Sequence, residues 1–74
     1  MPIYKNLSGK SGVAAYETKE SSIEVQFNDG MHYRYTSGSA GVANLEEMKR
    51  LANAGVGLNS FISRVVKKGY ESKW

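Results

Sequence analysis

The sequence predicts an α+β fold, a three-stranded antiparallel β-meander with two short C-terminal α-helices packed on one face. Three observations support this prediction. Two alternating apolar and polar segments flank a glycine-containing turn, a shorter strand-like segment precedes them, and two helical patterns follow them. Strands that are followed by helices, rather than alternating with them, are typical of α+β domains whose helices cover one sheet face.

A short first strand is predicted over residues 13–16, followed by a polar turn over residues 17–22. Its register against the next strand stays open because Ala14 and Ala15 are both small. Residues 1–12 are expected to form a flexible arm in front of the domain. The glycine, lysine and serine at positions 9–11 lack the upstream glycine and the strand-to-helix context of a phosphate loop.

The strongest local prediction is a β-hairpin over residues 23–35, with the sequence IEVQFNDGMHYRY. A two-residue loop would place the tyrosines opposite the apolar face, whereas a three-residue loop at residues 28–30 puts all large apolar side chains on one face. We prefer the second register because a slip by one residue inverts every side chain. It also predicts a left-handed conformation for Gly30. The predicted pairs are Phe27 with Met31, Val25 with Tyr33, and Ile23 with Tyr35.

Two helices are predicted after a connection over residues 36–43. Asn44 with Glu47 three residues later resembles a capping box, and Gly55 is suited to end this first helix. The second helix is expected to end near Gly69. Its apolar residues recur at helical spacing and are Leu58, Phe61, Ile62, Val65 and Val66.

Composition limits the functional classes. The 74 residues are enough for one domain, so we treat residues 1–74 as a unit. The absence of cysteine excludes disulfides and thiolate metal sites. With a single histidine, His32, no metal or other cofactor is expected. No apolar run is long enough for a signal-peptide core or a membrane span, so we expect a cytoplasmic protein that does not bind membranes.

Short motifs spread over residues 13–65 resemble a known family. They are Tyr16, Val25-x-Phe27, Gly30, Tyr33-x-Tyr35, Gly55-x-x-Leu58-Asn59 and Ile62. Together they resemble the KTSC domain, named after the C-terminus of some lysyl-tRNA synthetases and also found as small bacterial and phage proteins. The chain lacks the Val-Pro that usually follows the tyrosine pair in that family, and residues 52–55 match its Ala-x-Ser-x-Gly only in part. The resemblance implies a domain of unknown function for which RNA binding has been suggested.

The leading functional hypothesis is non-catalytic binding of nucleic acid, RNA in preference to DNA. Basic residues dominate positions 61–74, although the net charge is only +3. Arg64 and Lys68 are four residues apart and are expected to share a helical face that attracts phosphates. The candidate binding residues are Arg34, Arg64, Lys67 and Lys68, with Lys10 as a further candidate. Cations near a helix C-terminus also have a purely structural explanation.

Tyr33 and Tyr35 could stack bases, but the preferred register assigns them to the face that the helices cover, so core packing is the favoured interpretation. Catalysis is not expected, because the serines of the last helix have no evident base.

The alternative function is a protein-interaction or self-associating module that uses Tyr70 and Trp74. These aromatics lie in a tail, residues 70–74, that either folds back onto the core or contacts another subunit.

Overall fold

The computed structural model describes residues 3–7, 9 and 11–74 and shows an α+β domain around one antiparallel sheet. The four strands of this sheet lie side by side in chain order, and the helices come between the third and the fourth. In chain order the elements are β1 (Val13–Lys19), β2 (Ser22–Phe27), β3 (His32–Thr36), α1 (Ser37–Ala40), α2 (Val42–Ala54), α3 (Leu58–Phe61), which continues as a π-helix over Ile62–Val66, and β4 (Ser72–Lys73).

The hydrophobic core lies between one face of the sheet and the helices. Ile23, Val25 and Tyr35 supply the sheet side and are almost completely inaccessible to solvent. The buried helical side chains that meet them are Leu45, Met48, Ala52, Leu58, Ile62 and Val66. The predicted fold class and the helix-covered sheet face are therefore confirmed, whereas the prediction of three strands is wrong.

The predicted hairpin register is confirmed. Val25 lies opposite Tyr33 and Ile23 opposite Tyr35. The Phe27 backbone amide donates to the Met31 carbonyl at 2.9 Å, which closes the three-residue loop. Gly30 has a φ of +90°, a conformation that residues with a Cβ rarely adopt. This register determines which side chains face the helices.

Strand β1 is longer than predicted, because it continues to Lys19 and reaches β2 through a two-residue turn at Glu20 and Ser21. The polar turn predicted over residues 17–22 is therefore wrong. The polar side chains of residues 17–19 do not prevent pairing, since backbone groups form the ladder and the strand end is exposed. A register shift separates Val13 from Ala15.

The start of the main helix also differs from the prediction. Helix α2 begins at Val42, and the Asn44 side-chain amide donates to the Ala40 carbonyl at 2.9 Å instead of capping a helix. The capping box is formed earlier, by Thr36 and Ser39, and it starts α1 inside the predicted connection. Gly55 ends α2 with a φ of +78°, as predicted.

The last helix is shorter than predicted and ends at Val66, where Lys67 adopts a φ of +46°. Its second half is π-helical, which changes the angular spacing of its side chains. As a result Val65 is 51% exposed although the α-helical pattern assigned it to the core. Lys68 lies beyond the helix, so the prediction that Arg64 and Lys68 share a helical face is wrong.

The fourth strand was missed by the sequence-based prediction. Tyr33 pairs with Lys73 and Arg34 with Ser72, so residues 70–74 are not a separate tail. The Trp74 backbone also exchanges two hydrogen bonds with His32, at 2.8 and 2.9 Å. Side chains alternate between the faces along a strand. Lys73 therefore lies on the helix-covered face, and Trp74 lies on the opposite face.

Burial of Tyr35 predicts a pH dependence of folding stability. Tyr35 is 1% exposed, and burial raises the pKa of its hydroxyl from 10.0 to about 12. Between these values the unfolded chain has lost a proton that the folded chain keeps, so the free energy of unfolding should fall as the pH rises. Urea denaturation from pH 9 to 12 should show a smaller fall for Tyr35→Phe than for the unaltered chain. Identical pH profiles would contradict this expectation.

Candidate nucleic-acid interface

A groove of about 620 Å³ lies between the turn end of the β2–β3 hairpin, the last helix and β4. Its floor is aromatic. The Tyr33 ring meets Phe27 edge to face at a centroid distance of 5.2 Å and meets Tyr70 in the same way at 5.1 Å. All three rings are only half buried. They therefore present apolar surface to whatever enters the groove.

The groove has a cationic rim made of Lys67, Lys68 and Lys73. All three side chains are exposed. Pairing of Lys73 with Tyr33 places the two on the same sheet face, and the Lys73 ammonium lies 5.8 Å from the centroid of the Tyr70 ring. Within the described residues, no carboxylate lies within 4.0 Å of any of these ammonium groups. Their charges are thus available to an anionic ligand.

The end of the groove near the hairpin turn is polar. Asn28, Asp29 and Asn59 line it. One carboxylate oxygen of Asp29 accepts a hydrogen bond from the Met31 backbone amide at 2.9 Å, which fixes this side chain to the turn. The groove therefore combines an aromatic floor with cations at its rim and with amide and carboxylate groups at one end.

The structure brings together only some of the predicted basic residues. Lys67 and Lys68 line the groove, but Arg34 lies on the opposite sheet face, 5.1 Å from the Trp74 ring. Arg64 is hydrogen-bonded to the Ser60 hydroxyl at 2.8 and 3.1 Å and borders a different groove of about 450 Å³. Lys10 lies outside the described residues.

The two aromatics predicted as a partner interface are also separated. Tyr70 is half buried in the groove and packs against the core, whereas Trp74 lies on the other sheet face. The Trp74 ring stacks on His32 with 5.4 Å between centroids and an angle of 5°, and 49% of its surface stays exposed. His32 in turn lies 3.0 Å from a Glu24 carboxylate oxygen. This cluster was not predicted, because it depends on β4.

Sequence reasoning missed several groove residues. Lys73 was not predicted, because a strand of two residues is too short to show an alternating pattern. Phe27 and Asn59 were interpreted only as structural or family-motif residues. The alternation in the hairpin already placed Phe27 beside Tyr33, so that part of the floor could have been found. The positions of Tyr70 and Lys73 beside the groove could not have been predicted from the sequence.

The geometry defines a small α+β domain with a lysine-rimmed aromatic groove. No family model matches the chain, and no curated protein or solved structure matches it. The resemblance to the KTSC domain therefore stays a prediction. In the part of the chain that the structure describes, no helix is long and apolar enough to cross a membrane. The same residues contain no group of three His, Cys, Asp or Glu side chains that could hold a metal ion.

Proposed function

We propose that this chain is a non-catalytic domain that binds single-stranded nucleic acid in the lysine-rimmed groove. The observation that carries the proposal is the position of three exposed lysines around a floor of half-buried aromatic rings. Unpaired bases stack on aromatic side chains, and each such contact contributes about 1–3 kcal/mol. Lysines beside them neutralise the phosphates that connect the bases.

A single strand fits this site better than a duplex. Bases in a duplex are stacked on each other and turn only their edges outward, so they cannot lie on Tyr33 or Tyr70. The same rings could accept an unstacked base from a loop or a strand end. The preference for RNA over DNA rests on the resemblance to a domain that is attached to lysyl-tRNA synthetases.

A non-catalytic role agrees with the side chains of the groove. The sequence contains no cysteine and one histidine, and that histidine lies on the opposite sheet face beside Glu24. Ser63 lines the groove, but among the described residues no side-chain hydrogen bond joins its hydroxyl to a group that could act as a base. General-base activation of a nucleophile requires a base within hydrogen-bond reach.

Fluorescence anisotropy with a labelled single-stranded RNA of mixed sequence tests the proposal. We expect binding at low salt that weakens at physiological salt, and we expect Lys68→Glu to weaken it about tenfold further. Lys19→Glu is the matched control, because Lys19 is an exposed lysine in β1 outside the groove. It should change the affinity much less.

Other results would redirect the interpretation. If Arg64→Glu weakened binding as much as Lys68→Glu, the outer side of the last helix would carry the function instead of the groove. Equal losses for Lys68→Glu and Lys19→Glu would mean a response to net charge alone. Absence of binding at low salt, together with a mass that rises with concentration, would favour self-association through the exposed Trp74 ring.

A further inference from the structure

The groove has two chemically different ends. At one end, Asn59 lies beside the hairpin turn, since a Cβ built on Gly12 would be 3.9 Å from both the Asn59 amide oxygen and the Phe27 ring. At the other end, Lys67 and Lys68 follow the last helix. Lys67 is eight positions after Asn59, and most of the last helix, including its π-helical second half, lies between them.

The polar end has hydrogen-bonding groups that remain free to bind a ligand. Asp29 uses one carboxylate oxygen for the Met31 amide, and among the described residues the other oxygen has no partner. The Asn59 amide is half buried, and it too has no hydrogen-bond partner within the described part of the chain. Asp29 is exposed, and the hydrogen bond within the turn restrains its side chain while the other carboxylate oxygen remains an acceptor.

The charges at the two ends determine how a nucleotide would lie. A phosphate at the turn end would be repelled by the Asp29 carboxylate, whereas at the other end it would meet Lys67 and Lys68. The base then lies toward Asp29 and Asn59, across the rings of the floor. An ionised carboxylate only accepts hydrogen bonds, so it favours a base whose edge carries donors.

We propose that Asp29 and Asn59 make the groove selective for guanine, an inference that rests on the proposed function. Guanine presents two adjacent donors, N1–H and the N2 amino group, next to the O6 acceptor. The free Asp29 oxygen accepts from one of these donors, and the Asn59 side chain accepts from the other or donates to O6. Adenine has a lone pair at N1 that would face the carboxylate. Cytosine and uracil each have only one donor on their Watson–Crick edge. The neighbours of this donor are acceptors, either carbonyl oxygens or a ring nitrogen.

Labelled uridine hexamers with one central guanine, adenine or inosine test this inference by anisotropy. We expect the guanine oligomer to bind about tenfold tighter than the adenine oligomer. Inosine, which lacks the N2 amino group, should fall between them. Asp29→Asn keeps an oxygen for the Met31 amide but replaces the acceptor with a donor, so it should abolish the preference.

Controls separate this inference from the proposed function. Glu20→Gln removes one negative charge from the β1–β2 turn, so it should strengthen binding of all oligomers and leave their ratio unchanged. Lys68→Glu should weaken all of them to a similar extent. Equal affinities for guanine and adenine, or an unchanged ratio in Asp29→Asn, would overturn the guanine inference alone. Failure of every oligomer to bind at low salt would overturn both proposals.

Discussion

Replacement of Tyr35 by alanine is expected to lower the free energy of unfolding by about 3–5 kcal/mol, because it leaves a cavity where a ring was packed. The ring lies opposite Ile23 in the sheet, is 1% exposed, and meets Tyr70 edge to face at 6.2 Å. A domain of this length has a total stability of roughly 4–11 kcal/mol. The variant should therefore lose from about a quarter to all of this stability, and its denaturation midpoint should fall accordingly.

Urea denaturation followed by circular dichroism measures this loss. Tyr35→Phe is the matched control, because it keeps the ring and should cost less than about 1.5 kcal/mol. The comparison also tests the hairpin register, since a two-residue loop would turn Tyr35 toward solvent. In that case alanine and phenylalanine at this position would have similarly small effects.

The hairpin could be predicted from sequence because its determinants are local. Alternation of apolar and polar residues over Ile23, Val25 and Tyr35 identifies the buried face. Gly30, the residue with a positive φ in this turn, fixes the length of the loop. Strand β4 could not be predicted, because its two residues pair with β3 only after the helices have returned the chain to the sheet edge. Helix α1 was missed because serine and glycine are weak helix formers.

The candidate site, too, could be predicted only where its residues are neighbours in the sequence or belong to the hairpin. Lys67 and Lys68 were found as neighbours in the sequence, and the structure places both at the groove. Arg34 directly follows Tyr33, so strand alternation in the preferred register puts it on the opposite face, and its separation from the groove follows from the hairpin. Lys73 requires β4, and the separation of Arg64 from Lys68 requires the early helix end. Neither feature has a local signal.

The second large effect concerns the salt dependence of nucleic-acid binding. Three lysines that each neutralise one phosphate of a single strand give a slope of about −2 for the logarithm of the association constant against that of the salt concentration. The triple variant of Lys67, Lys68 and Lys73 to alanine should lose nearly all of this slope. Anisotropy titrations at four salt concentrations measure the slope directly.

The aromatic floor should respond differently from the lysine rim, and this difference distinguishes a groove that holds bases from a surface that only attracts phosphates. Tyr33→Leu keeps apolar bulk beside Phe27 but removes the stacking surface. It should weaken binding by about 1–3 kcal/mol per stacked base and leave the salt slope unchanged. If the lysine variant kept its slope, or the tyrosine variant bound as well as the unaltered chain, the groove would not be the binding site. If both variants lose affinity but only the lysine variant loses the salt slope, the nucleic-acid strand must lie in the groove. Only there do bases meet Tyr33 while phosphates meet the lysines.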